Sequence, residues 1–345
     1  MDQGSLYQDA IRRVAGRIRE CAPEDLALRF SACSGFDAES YQPCSSSFDG
    51  AVCAVDGSNA IILDAGSFAV AAVRASVSTC AGGVRICHRT TPLKIVTVNP
   101  GSGNEDFDTL FRDCFHHHPK APLDHDDPIQ NSAVIRDTLE YRAAMDMAGE
   151  LNTGDILVLD GTLQVRHASH DEVIESLLNL CNLRGVLIAA VTKRTSLTWG
   201  GGHPIVPAAE GLARDLGIPE PWYLCVSAAE GLIDREETHR WKQRGGQYVA
   251  RLHPRAQRAF KVEIPKYYTP DRVKRVFSAL ASFSDDGRVT GYPYPLFDAH
   301  LTTKIGADAV EQIRQDIIRG MDRLGMNLAD YTGIFGDYHD EFDRY

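Results

Sequence analysis

Residues 155–193 read DILVLDGTLQVRHASHDEVIESLLNLCNLRGVLIAAVTK. Two short, almost wholly apolar runs, ILVLD and VLIAAVT, flank a segment with helical spacing that stops at Gly185. Apolar runs of this length, rich in Val, Ile and Leu, predict strands buried on both faces. Two such strands joined through a helix form a β-α-β unit, whose strands lie parallel. The first strand delivers Asp160 and the second delivers Lys193. The chain therefore reads as α/β, with at least part of its sheet parallel.

Upstream, AVCAVDGS at 51–58 is another buried run, and its C-terminal end delivers Asp56. IILDA, SFAVAAVRASV, GVRICHRTT and LKIVTVNP follow; their β-branched content and glycine punctuation predict a meander. Residues 131–149 form the clearest helix, 105–118 a shorter one running into His116, His117 and His118, and 119–130 a Pro/Asp loop. Residues 5–30 have helical spacing, and 31–50 are a Ser/Gly/Pro-rich connection. Downstream, 196–221 reads as loop, YVARLHPRAQRAFKVEI at 248–264 as a hairpin, and 270–283 as a helix opened by proline. An amphipathic helix at 307–326 precedes an acidic tail with Tyr331, Ile334, Phe335, Tyr338, Phe342 and Tyr345. The division this predicts is an N-terminal helix and linker over 1–45, then one α/β domain over 46–345.

Of the 345 residues, 43% are hydrophobic and 24% charged, which excludes a disordered or fibrous chain. No run approaches the roughly 18 apolar residues of a membrane span, and the N-terminus has no signal-type apolar stretch, so a cytoplasmic protein is expected. Nine cysteines without a C-x-x-C pair point to free thiols rather than a zinc ribbon. The net charge of −11 argues against indiscriminate polyanion binding but leaves room for a local basic groove. Residues 242–266 supply one: Lys242, Arg244, Arg251, Arg255, Arg258, Lys261 and Lys266 stand against Glu263 alone. Cations alternating along a hairpin can follow a phosphate backbone; the plain alternative is a solvated face.

The two strands share a phrase, Asp56-Gly57-Ser58 and Asp160-Gly161-Thr162. Aspartates at the ends of neighbouring central strands face the crevice where open α/β sheets bind ligands. Placed close together they repel unless a cation lies between them, and Mg²⁺ and Mn²⁺ prefer such carboxylate oxygens. A simple turn after each strand is the alternative. Glu140 lies on a partly apolar flank of the 131–149 helix, where a metal or an i, i+4 pair with Arg136 would relieve it. Tyr292-Pro293-Tyr294-Pro295 stiffens the chain before Asp298 and His300, a candidate ligand. The histidines at 116–118, with His125 and Asp126, lie in a polar loop without ligand spacing and read as solvated. LVLDGTL lacks the nucleophile of haloacid-dehalogenase phosphatases, since Val158 occupies its place. The actin-like phosphate loops need glycines that are absent, and there is no G-x-x-x-x-G-K-[ST] motif.

The ordered set of VDGS at 55–58, Arg136-x-x-x-Glu140, LDGTL at 159–163, a strand ending in Lys193, RLHPR at 251–255 and YPYPLFDAH at 292–300 resembles the NurA family of DNA-repair nucleases over roughly 50–305. The resemblance implies a ribonuclease-H-like core with a mixed central sheet flanked by helices. It implies a divalent metal pair, usually Mn²⁺ with Mg²⁺ as the alternative. Asp56, Glu140, Asp160 and His300 would be its ligands, with His300 a ligand or proton carrier. Tyr292 would shape the site and Lys193 would touch the scissile phosphate. Arg251, Arg255, Arg258 and Lys261 are the expected DNA contacts. Glu150, ten residues after Glu140, is a competing acid. The family acts on single-stranded DNA and from 5′ ends, as a homodimer working with a hexameric HerA ATPase. The alternatives are a nucleic-acid-binding scaffold with a decayed site, or an actin-like nucleotide phosphotransferase.

Overall fold

A computed structural model describes residues 3–19, 23–98, 105–123, 127–234 and 242–336. Its strands are β1 (Tyr41–Pro43), β2 (Ala51–Asp64), β3 (Ala69–Ala81), β4 (Val84–Thr90), β5 (Lys94–Val98), β6 (Ile156–Asp160), β7 (Leu187–Thr192), β8 (Thr198–Trp199), β9 (His203–Pro204), β10 (Trp222–Cys225), β11 (Gly245–Arg251) and β12 (Phe260–Pro265). Its helices are α1 (Gln3–Arg19), α2 (Pro23–Ser34), α3 (Glu105–Phe115), α4 (Pro128–Glu150), α5 (Asp171–Arg184), α6 (Ile205–Asp215), α7 (Pro270–Ser282), α8 (Tyr294–Thr303), α9 (Ala307–Arg323) and α10 (Leu328–Phe335).

Ten strands form one sheet in the order β1-β10-β11-β12-β7-β6-β2-β3-β4, with β5 also paired to β3. The centre is parallel, β7 to β6 and β6 to β2, and every other pair in this sheet is antiparallel. This is the mixed sheet that the β-α-β unit predicts. β6 and β7 are apolar along nearly their whole length because helices cover both of their faces. α5 ends at Gly185, whose φ of +69° a side chain would disfavour.

The structure departs from the sequence expectations in four places. AVCAVDGS and IILDA are not two strands but the single 14-residue β2, so Asp56 lies mid-strand. Its parallel pairing with β6 nevertheless stops at Val55 and Leu159, which puts Asp56 and Asp160 next to each other just past the paired segment. α4 begins at Pro128, because Asp127 accepts from Ile129 N at 3.0 Å and Gln130 N at 3.1 Å as an N-cap. The stretch 196–221, expected as loop, contains α6. Ile205, Ala208, Ala209, Leu212 and Ala213 of that helix are buried in a second core with Leu26, Ala27 and Phe30 of α2. Residues 41–43, within the stretch 31–50 expected as a connection, form β1, which is hydrogen-bonded to β10.

α9 and α10 cover the far end of β2 and β3. Ile313, Ile317, Tyr331 and Phe335 pack against Ile62, Leu63 and Ala72. Tyr331 and Phe335 of the acidic tail are thus folded onto their own domain. Tyr338, Phe342 and Tyr345 lie outside the described residues, as do His125 and Asp126. The described cysteines are all free. No helix among the described residues is long and apolar enough to cross a membrane.

Candidate metal centre

Side chains alternate across a strand, so the two faces of β2 carry different parts of the site. Asp56 and Ser58 face α8: His300 Nδ1 lies 2.8 Å from Asp56 Oδ2, and Ile305 N donates to Ser58 Oγ at 3.2 Å. Asn59 faces α4, where it donates to Ser132 Oγ at 2.7 Å and accepts from Arg136 Nη1 at 3.2 Å. Gly57 points the same way. A methyl group there would overlap Glu140 Oε1 and come within 2.7 Å of Arg136 Cγ. Glycine at 57 is therefore what lets Glu140 approach the strand beside Asp56.

Asp160 ends β6, one strand over from Asp56, and Lys193 Nζ meets its Oδ2 at 2.5 Å. One ligand atom from each of Asp56, Asp160 and His300 lies within 4.8 Å of the others. Asp56 is buried, and burial, then the charge of Asp160, raise its pKa against the opposing pull of Lys193 and His300. The Tyr292 hydroxyl is buried beside the two aspartates without a well-formed hydrogen bond. Burial and then the charges of Asp160 and Asp56 hold its pKa far above the ordinary value. The Tyr292 ring carries Lys193 Nζ at 5.7 Å from its centre. A buried and a half-buried carboxylate, an exposed imidazole and a poorly satisfied hydroxyl at one point suit a hard divalent cation.

Glu140 stands beside this cluster rather than inside it. Its Oε1 is 2.8 Å from Arg136 Nε, the i, i+4 pair foreseen from sequence, half-buried rather than at the open surface. Arg136 also holds Asp137 at 2.6 Å. Burial is the main reason the Glu140 pKa is pushed up to about 8; Arg136 opposes it, and Asp137, Asp56 and Asp160 add to it. Glu150 is excluded from the site: it ends α4, about 15 Å of helix from Glu140, and makes an exposed bidentate pair with Arg89 at 2.6 and 2.7 Å. Asp298 is structural, accepting from Ser78 at 2.7 Å and Arg85 at 3.1 Å to dock α8 on β3 and β4. His118 bonds Asp108 at 2.8 Å in a surface pair away from the cluster.

Two features escaped the sequence reading. Glu263 on β12 is fully buried and accepts from Thr162 Oγ1 at 2.7 Å and Leu163 N at 3.0 Å. It thereby pins the turn that aims Asp160. The only hint was a single acid among the cations of 242–266. The second is a groove of about 590 Å³ opening from the cluster, lined by Lys193, His300 and Tyr292 at one end and by Arg255, Arg258 and Arg288 beyond.

The hairpin cations divide. Arg255 and Arg258 line this groove. Arg251 and Lys261, expected on the DNA path, do not: Arg251 pairs with Glu210 at 3.1 Å and Glu220 at 2.7 Å, and Lys261 pairs with buried Glu263 at 2.8 Å. They sit within the strands, where Arg251 finds acids from neighbouring elements and Lys261 finds Glu263 two residues on along the same face of β12. Arg255 and Arg258 sit in the connecting loop.

Fold and site together define an α/β protein of ribonuclease-H-like architecture with an acidic, metal-suited centre at the middle of its sheet. A family model described as the NurA domain matches residues 50–305, and the chain belongs to the NurA family. The NurA nuclease from Sulfolobus solfataricus superposes with a TM-score of 0.56 at 12% identity, covering 94% of this chain and 98% of that one. A second NurA crystal structure gives 0.53 at 10% identity, covering 92% and 99%. No curated protein matches the sequence.

Proposed function

We propose that this chain is a divalent-metal-dependent deoxyribonuclease, with Asp56, Asp160 and His300 holding the metal and Glu140 completing the acidic set. The convergence of the first three within 4.8 Å carries this reading, and family membership supports it. Bound Mn²⁺ or Mg²⁺ ions, working as a pair, would activate a water and offset charge on the leaving oxygen of a phosphodiester. The protein's own groups bind and orient. Asp56 holds His300 through Nδ1, and Arg136 fixes the Glu140 carboxylate. Tyr292 keeps its proton and so acts as a hydrogen-bond donor rather than a base. Lys193, already at the cluster, offers a positive charge to the scissile phosphate. Arg258, and Arg255 although it pairs with Asp285 at 2.8 Å, line the groove and guide the strand, whereas Arg251 and Lys261 lie outside that lining.

The finer activity belongs to the same proposal: 5′ to 3′ exonuclease and single-strand endonuclease action in DNA end resection and double-strand break repair, in the cytoplasm. These 345 residues contain no P-loop motif, so movement along duplex DNA falls to a HerA-type hexameric ATPase, with this chain working as a homodimer. All the expected acids are present, which favours an enzyme over a decayed scaffold. The test is incubation of labelled single-stranded DNA with Mn²⁺, Mg²⁺ or chelator. Cleavage with metal, abolished by chelator and by Asp160→Asn, is expected. Undiminished cleavage in chelator would overturn the metal reading, and none with either metal would overturn the nuclease reading.

A further inference from the structure

The groove is also lined by the turn between α7 and Tyr292, which touches the hairpin loop where Asp285 meets His253 at 3.0 Å and Arg255 at 2.8 Å. Arg288 on that turn is fixed before any ligand arrives. Its Nε and Nη2 each donate to the Asp286 carboxylate, both at 2.9 Å. Its guanidinium carbon lies 5.3 Å from the Tyr294 ring centre and 5.4 Å from that of Phe297. The side chain is nonetheless 59% exposed, and its Nη1 edge meets no carboxylate among the described residues. An exposed ion pair contributes only about 0–1 kcal/mol, so stability is a weak reason to order so flexible a side chain. A guanidinium held beside two aromatic rings and still exposed is suited to recognition, since its open side can stack on a base and donate to phosphate.

The surroundings match. Arg258, which also lines the groove, has no acidic partner among the described residues and lies 5.7 Å over the Phe260 ring. Phe297 and Tyr292 line the same groove as the two arginines. Stacking faces flanked by cations are how proteins hold single-stranded polynucleotides, whose bases are free to lie on a platform.

We propose that Arg288, positioned by Asp286, Tyr294 and Phe297, is a substrate-binding residue that receives the base and phosphate of a nucleotide adjacent to the one being cut. This rests on the nuclease reading above. The test compares wild type, Arg288→Ala and Arg288→Lys on labelled oligothymidylate and on the same strand made abasic, with Mn²⁺ and over a range of salt. Arg288→Ala should raise KM about tenfold, the loss of one stacked base, with kcat within about twofold. Its binding should lose about 0.7 of salt slope, the share of one phosphate contact on a single strand. Arg288→Lys should restore the slope but not KM on oligothymidylate, and on the abasic strand its KM should match wild type. Unchanged KM and slope for Arg288→Ala, with wild type cutting normally, would overturn the assignment alone. A wild type that neither binds nor cuts either strand would overturn the nuclease reading and this assignment with it.

Discussion

Asp56 and Asp160 sit side by side on neighbouring parallel strands, where burial and repulsion raise the proton affinity of Asp56. Each carboxylate has a protein partner at hand: the His300 imidazole on Asp56, Lys193 on Asp160 and Arg136 on Glu140. Removing one ligand should therefore cost chemistry more than folding. We expect Asp160→Asn to lower cleavage at least a hundredfold, on the order of losing one electrostatic contact in the transition state, while the melting temperature without metal holds or rises. Cleavage rates with Mn²⁺ and differential scanning fluorimetry in chelator measure both. The two aspartates were legible in the sequence because each ends an apolar run in Asp-Gly. The choice between Glu140 and Glu150 was not, because both lie on one helix and only the packing around them, Gly57 and Arg136 at Glu140 and Arg89 at Glu150, separates them. Glu140→Gln should therefore impair cleavage strongly and Glu150→Ala change it less than about twofold, an order suited to an exposed ion pair.

At the scale of elements, the β-α-β unit was readable from residues 155–193 alone, since two apolar strands around a helix admit few topologies. The length of β2 was not, because Gly57, Ser58 and Asn59 look like a turn in sequence and become strand only through their pairing with β3. α6 was hidden by the density of Gly and Pro around it, although its buried positions 205, 208, 209, 212 and 213 have helical spacing. Two elements aim the carboxylates and can be tested. Glu263 ties β12 to the turn after β6, and Glu263→Ala would leave Lys261 without its acid and free Thr162 and Leu163 N. We expect a loss of about 3 kcal/mol in stability, as for breaking a buried ion pair, and a weaker Mn²⁺ affinity by calorimetry. Glu263→Gln should recover part of both, because it still accepts from Thr162 and Leu163. At Gly57 the constraint is steric. Gly57→Ala should push Glu140 off the strand and lower kcat, with Mn²⁺ affinity at Asp56 and Asp160 changed less.

At the scale of the whole molecule, two buried titratable groups on opposite sides of α4 set opposing pH dependences. His170 is fully buried, bonded to Thr138 at 2.8 Å and in contact with the rings of Phe111 and Tyr141. Burial pushes its pKa down from 6.5 to about 4, against a raising influence from Asp137. Between those values the unfolded chain takes up a proton that the folded chain refuses, so stability is lost as pH falls from 6.5 toward 4, by about 3 kcal/mol in all. Glu140 acts with the opposite sign. Its pKa of about 8 lies above its ordinary value of 4.5, so between them the folded chain holds a proton that the unfolded chain has released. Stability of the metal-free protein therefore falls as pH rises from about 5 to about 8 and levels off above that. The two limbs overlap with opposite slopes between about pH 4.5 and 6.5, so the metal-free melting temperature should be level across that range and fall on either side of it. A bound cation takes over the role of that proton, so Mn²⁺ should raise the melting temperature more at pH 8 than at pH 6 and flatten the alkaline limb. His170→Gln should flatten the acid limb and leave the Mn²⁺ effect unchanged. Fluorimetry from pH 4 to pH 9, with chelator or with Mn²⁺, reads both limbs, and an Mn²⁺ gain that is equal at pH 6 and pH 8 would remove Glu140 from the metal site.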